Sequence, residues 1–114
     1  MIKCGIDLLR TSRLAEVNPA IRARFIHRVY TETEIAQAQD DNDTLSGIFA
    51  AKEAVSKALG TGIGKVAWQD IEILHATSGE PGVTLHGFAL EVAHAKGLVE
   101  WAVSITHEWL QRWL

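Results

Sequence analysis

Phe49-Ala50-Ala51-Lys52-Glu53-Ala54-Val55-Ser56-Lys57-Ala58-Leu59-Gly60-Thr61-Gly62-Ile63-Gly64 is the stretch on which the reading of this chain turns. Helix formers fill residues 45–59 and glycines at 60, 62 and 64 stop them, which predicts a helix over 45–59. At helical spacing Ile48, Ala51, Val55 and Leu59 share an apolar face, and Ala50, Ala51, Ala54 and Ala58 let neighbouring elements come close. Glu53 precedes Lys57 by four residues, the favourable order for an ion pair on a helix surface. The glycine-rich exit lets the backbone approach a ligand and offers amide donors suited to phosphate. The same residues also read as an alanine-rich core helix with a surface ion pair and a glycine cap. They are not a phosphate loop, because no Gly-Lys-Ser/Thr follows and the glycines end a helix instead of opening one.

On the N-terminal side of this helix, Ile2, Cys4, Ile6 and Leu8 alternate along an expected strand at residues 1–9. Residues 12–17 suit a helical turn that stops before Pro19. Residues 20–30 suit a helix whose apolar Ile21, Phe25, Ile26 and Val29 leave Arg24 and Arg28 one turn apart. Thr31 and Glu34 have capping-box spacing, and Asp40-Asp41-Asn42-Asp43 is a polar break. On the C-terminal side, residues 68–76 have strand character, 77–82 form a turn and 83–86 a returning strand. Residues 88–96 suit a helix ending at Gly97, and residues 99–105 alternate as a further strand. No repeat, low-complexity segment or interdomain linker interrupts this mixed order, so one domain over residues 1–114 is expected.

Composition narrows the function classes. The chain has 114 residues, 47% hydrophobic and 22% charged, with a formal net charge of −3. That apolar share is too high for disorder, and no apolar run is long enough for a membrane-spanning helix. Asp7 interrupts the short apolar start, so a secretory leader is not expected. Cys4 is the single cysteine, which rules out an internal disulfide or a cysteine zinc cluster and suits a cytoplasmic protein. The acidic balance argues against a nucleic-acid partner. Residues 1–28 nevertheless hold Lys3, Arg10, Arg13, Arg22, Arg24 and Arg28 against Asp7 and Glu16, a basic quarter able to face an acidic partner. Ordinary solvated arginines are the alternative.

Asp7 stands near the end of an otherwise apolar strand, where a carboxylate is costly to bury without a cation or hydrogen bonds. Asp7 and Glu53 together can offer two oxygen ligands to Mg2+, a hard ion that takes its remaining ligands from water and substrate phosphate. Pairing of Asp7 with a neighbouring arginine is the alternative. His27, His75, His86 and His94 read individually as structural or solvated.

Three ordered motifs carry a resemblance. They are Gly5-Ile6-Asp7-Leu8, then Phe49-Ala50-Ala51-Lys52-Glu53-Ala54 with Lys57-Ala58-Leu59-Gly60-Thr61-Gly62, and Val103-Ser104-Ile105-Thr106-His107. With Trp68-Gln69-Asp70-Ile71-Glu72-Ile73 and a turn at 79–82 between them, the chain resembles the holo-acyl-carrier-protein synthases, the small phosphopantetheinyl transferases, from residue 1 to about 107. The resemblance implies an α+β fold, a mostly antiparallel sheet packed against a long central helix. It implies Mg2+-dependent transfer of the phosphopantetheine arm of coenzyme A to a serine of apo acyl carrier protein, releasing adenosine 3',5'-bisphosphate, in fatty acid biosynthesis. Asp7 and Glu53 match the metal carboxylates, with Glu53 also helping to deprotonate the serine. Lys57 matches a residue neutralising the bridging phosphates, with Lys52 and Ser56 as alternatives on the same segment. Gly60, Thr61 and Gly62 would cradle coenzyme A with main-chain amides, and His107 would lie near the nucleotide. Arg13, Arg24 and Arg28 match the positions that dock acyl carrier protein, with Arg10 and Arg22 as helpers. The family assembles as a homotrimer with coenzyme A between subunits.

Two departures stand out. Ile48 replaces an arginine common just before the Phe-Ala-Ala-Lys-Glu stretch, so one phosphate or carboxylate contact is expected to be missing. After His107 the chain reads Glu108-Trp109-Leu110-Gln111-Arg112-Trp113-Leu114, a short amphipathic end where the family has an alternating strand. The altered end leaves a second reading, a coenzyme A or acyl carrier protein binding protein on the same fold, and a third is independent of the resemblance, a small metal-dependent phosphohydrolase using Asp7 and Glu53.

Overall fold

The computed structural model describes residues 18–97. The expected strand at 1–9, the turn at 12–17, the strand at 99–105 and the C-terminal end lie outside the described residues, as do Asp7, Arg10, Arg13 and His107. Within them the order is α1 (Pro19–Val29), α2 (Glu32–Ala38), α3 (Asn42–Ala58), β1 (Ile71–His75), β2 (Pro81–Leu85) and α4 (Gly87–Lys96). The class is α+β as expected, with a two-stranded antiparallel sheet lying against the long helix α3.

Local sequence explains most boundaries. Pro19 opens α1, with the Asn18 side chain accepting from the Ala20 amide at 2.9 Å. The Thr31 and Glu34 capping box closes on α2 in both directions, 3.2 Å and 2.8 Å. Helix α3 starts three residues earlier than the apolar pattern suggested, because Asp41 caps it by accepting from the Thr44 amide and hydroxyl. The polar break contracts to Gln39 and Asp40, both with positive φ (50° and 61°), and the Arg22 guanidinium holds Asp40 at 2.8 Å.

The strand expected from Trp68 begins at Ile71 instead. Residues Trp68–Asp70 form a 3-10 turn in which Asp70 Oδ2 accepts from the Ala67 amide at 3.2 Å, so the aspartate folds back on its own backbone. Strand β2 starts at Pro81, two residues before its expected start, since a proline is tolerated as the first residue of a strand. Its register pairs Ile71 with Leu85 and Ile73 with Val83.

One apolar cluster joins these elements. Leu45, Ile48, Ala51 and Val55 of α3 and its C-cap Leu59 are buried against Ile71 and Ile73 of β1, Ala89 and Ala93 of α4, and Ile26 and Val29 of α1. Phe49 stacks on Trp68 at 4.6 Å between ring centroids and also meets Phe25 at 5.7 Å. Ile21, placed on the apolar face of α1 by its spacing, is 48% exposed instead. Among the described residues no helix is long and apolar enough to cross a membrane.

Candidate active site

Helix α3 points its chemistry in two directions. Lys52 turns inward and is fully buried, its ammonium donating to Trp68 O at 2.9 Å and Ile71 O at 2.6 Å and pairing with Glu34 Oε1 at 2.8 Å. An ammonium has three hydrogens, and all three are used inside the protein. Burial lowers the Lys52 pKa, opposed by the charge and hydrogen bond of Glu34. Glu34 is equally buried, its Oε1 also accepting from Thr31 N and its Oε2 from the Ile73 amide at 2.8 Å. Burial, and then the Glu34 charge, push the nearby Tyr30 hydroxyl well above the usual phenol range; it donates to Leu45 O at 2.6 Å. Lys52, expected as an alternative phosphate ligand, is instead the centre of a knot tying α2, α3 and β1 together.

Glu53 is half-buried and Lys57 exposed, one helical turn apart. The ion pair that their spacing favoured is not formed among the described residues, which leaves both side chains for other partners. Ser56 is buried and its hydroxyl donates to Glu53 O at 2.8 Å, so its proton is committed to the helix backbone. Ile48, at the position where an arginine was expected, is a core residue 2% exposed and presents no charge to any ligand.

The end of α3 corrects one expectation. Gly60 N donates to Lys57 O at 3.0 Å, and Thr61 N and Gly62 N both donate to Ser56 O at 3.3 and 3.2 Å. With φ at +79° for Gly60, this is a Schellman cap, in which the glycine takes the left-handed conformation that a side chain would resist. The amides expected to cradle a phosphate thus close the helix instead. What the loop presents is side-chain-free backbone at Gly60 and Gly62, while the Thr61 hydroxyl oxygen between them is buried with no hydrogen-bond partner among the described residues.

On α1, Arg24 and Arg28 are exposed, and with Ile21 they follow i, i+3, i+7 spacing along one stripe. Arg22 is held by Asp40 and by Asn42 Oδ1 at 2.7 Å, so it braces α1 against the start of α3. His86 pairs with Glu72 at 3.0 Å, and His27 and His94 are exposed, in keeping with their structural or solvated reading. An open depression of about 320 Å3 is lined by Leu74, His75, Pro81 and Thr84 among others, and none of the expected site residues borders it. Among the described residues no three acidic, histidine or cysteine side chains cluster as a metal site.

Three features escaped the sequence reading: the Glu34–Lys52 pair, the unpartnered Thr61 oxygen, and Lys96, which reaches from α4 to Leu59 O at 2.9 Å. Only the first left a signal. Glu34 satisfied the capping-box pattern with Oε1, and a buried carboxylate calls for a cation, which Lys52 supplies at that same oxygen while Oε2 takes the Ile73 amide.

The model of the 4'-phosphopantetheinyl transferase superfamily matches residues 3–106, and the chain belongs to that superfamily. Its sequence relatives narrow the class to the holo-acyl-carrier-protein synthases. A holo-[acyl-carrier-protein] synthase of Natranaerobius thermophilus is 41% identical over 110 residues, 94% of this chain and 88% of the relative. One of Alkaliphilus metalliredigens is 43% identical over 114 residues, 94% of this chain and 90% of the relative. A crystal structure of the Helicobacter pylori enzyme of the same name, in complex with coenzyme A, superposes with a TM-score of 0.63 at 31% identity, covering 70% of each chain.

Proposed function

We propose that this enzyme transfers the phosphopantetheine arm of coenzyme A to a serine hydroxyl of apo acyl carrier protein, releasing adenosine 3',5'-bisphosphate. The observation that carries this reading is the division of labour on α3. Lys52 is spent in the core, while Glu53 and Lys57, without an ion-pair partner among the described residues, stand one turn apart directly before the Gly60–Thr61–Gly62 exit. The serine oxygen forms the new bond to phosphorus, the bridging phosphorus–oxygen bond breaks, and the adenosine bisphosphate leaves with the electron pair. Glu53 accepts the serine proton, and Lys57 neutralises charge growing on the phosphates.

Mg2+ fits the donor chemistry. Glu53 is an oxygen donor with no ion-pair partner among the described residues, and Asp7 is its proposed companion. When bound, the ion supplies charge neutralisation for the diphosphate. Gly60 and Gly62 let the ligand approach the backbone, and His107 is proposed beside the nucleotide.

Arg24 and Arg28, with Arg13, are proposed to receive the acidic carrier protein, and the exposed Ile21 adds an apolar contact between them. Residues 1–114 are proposed as one domain that works in the cytoplasm as a homotrimer in fatty acid biosynthesis. Light scattering of the purified chain checks the trimer.

The decisive experiment incubates the protein with apo acyl carrier protein, coenzyme A and Mg2+ and weighs the carrier. A mass gain of one phosphopantetheine is expected. Binding without gain would mean a carrier or coenzyme A binding protein, and coenzyme A hydrolysis alone a phosphohydrolase.

A further inference from the structure

Lys96 is the last residue of α4, yet its ammonium lies at the far end of α3. It donates to the carbonyl of Leu59, the C-cap residue, at 2.9 Å. A Cβ built on Gly60 would stand 3.0 Å from Lys96 Nζ, so the ammonium fills the space that a side chain at position 60 would take. A cation therefore lies against the Leu59–Gly60 backbone, and the residue next in sequence, Thr61, carries a buried hydroxyl oxygen with no partner among the described residues.

The electrostatics of the place make the cation matter. A helix C-terminus carries the negative end of the helix dipole and repels an anion. The amides at 60, 61 and 62 do not offset this, because they donate to Lys57 O and Ser56 O. A phosphate brought to this loop thus needs side-chain cations. Lys57 supplies one from the last turn of α3. Leu59 O takes one of the three hydrogens of the Lys96 ammonium, and no other group among the described residues takes the remaining two.

We propose that Lys96 is a further ligand-binding residue, which with Lys57 receives a phosphate group of coenzyme A at the exit of α3. This rests on coenzyme A being the substrate. The competing role is purely structural, a lysine capping the carbonyl end of a helix.

Titration calorimetry separates the two roles. Coenzyme A and the phosphate-free pantetheine are each titrated into the wild-type protein, Lys96→Gln and Lys96→Arg, with melting temperatures recorded alongside. Lys96→Gln is expected to weaken coenzyme A binding about tenfold, the loss of one charge-assisted hydrogen bond. Pantetheine binding should stay as in wild type, and Lys96→Arg should restore most of the coenzyme A affinity. Unchanged coenzyme A affinity in Lys96→Gln, or equal weakening of both ligands, would overturn the proposal. Failure of the wild-type protein to bind coenzyme A would instead overturn the substrate reading beneath it.

Discussion

Lys52 Nζ and Glu34 Oε1 lie 2.8 Å apart where α2, α3 and β1 meet, and neither side chain reaches solvent. Around them the chain spends backbone groups of Trp68, Ile71, Ile73 and Thr31 on the same two side chains. The pair thereby holds the long helix against the sheet through directional bonds that an apolar contact would lack.

Removing one partner leaves a buried charge alone, so Lys52→Met or Glu34→Leu is expected to cost about 3–5 kcal/mol. The double variant should recover only part of that. It abolishes the stranded charge but still orphans the Ile73 amide and the carbonyls of Trp68 and Ile71. Urea denaturation of the three variants measures this, and full recovery in the double variant would show that the backbone bonds contribute nothing.

Acid should weaken the fold through Glu72. Burial pushes its carboxyl up, but hydrogen bonds from Thr31 and His86 and the charges of His86 and Lys52 outweigh this and hold it below its ordinary value of 4.5. A carboxylate with a depressed folded pKa adds stability above its unfolded pKa, and this is lost as pH falls through the folded value. Melting temperature should therefore drop as pH goes below about 4.5. In Thr31→Val, which loses the 2.6 Å bond to Glu72, the drop over that window should be shallower. Identical slopes would remove Glu72 from the acid response.

Glu53→Gln is expected to lower phosphopantetheine transfer by about 10²–10⁴ while leaving the melting temperature unchanged, since the carboxylate has no ion-pair partner among the described residues. Lys57→Ala should chiefly raise KM for coenzyme A. A steady-state transfer assay checks both, and undiminished transfer in Glu53→Gln would take that residue out of the reaction.

Charge reversal on α1 should separate docking from bracing. Arg24→Glu or Arg28→Glu is expected to weaken acyl carrier protein binding while coenzyme A binding and thermal stability hold. Arg22→Glu should lower the melting temperature, because it turns the bonds to Asp40 and Asn42 into repulsion and a lost donor. Surface plasmon resonance on immobilised carrier protein, paired with calorimetric melting, measures both. Equal loss of carrier and coenzyme A affinity in Arg24→Glu would refute the docking face.

Much of this was legible from residue pattern because it is local. The capping box at Thr31 and Glu34, the glycine stop after Leu59 and the Gly97 end of α4 depend on neighbours within a few residues, and all three formed. Boundaries slipped where a side chain overrode periodicity, as when Asp70 folded onto Ala67 and when Asp41 capped α3 early. The candidate site was legible by residue type but not by direction. Lys52 and Lys57 look interchangeable as cations near a glycine loop. Only the packed helix shows that one faces Glu34 and the other water. Contacts such as Lys96 to Leu59, 37 residues apart, have no periodic trace at all. The amide cradle was misread because a glycine that suits a ligand's approach suits a Schellman cap equally well.

The burial of Lys52 also makes it a built-in reporter. A brief pulse of an acetylating reagent should modify Lys57 and Lys65 on the folded surface while sparing an amine enclosed on every side. Acetyl groups would accumulate at position 52 only during excursions that part the helices, so peptide mass mapping would clock how often this molecule breathes.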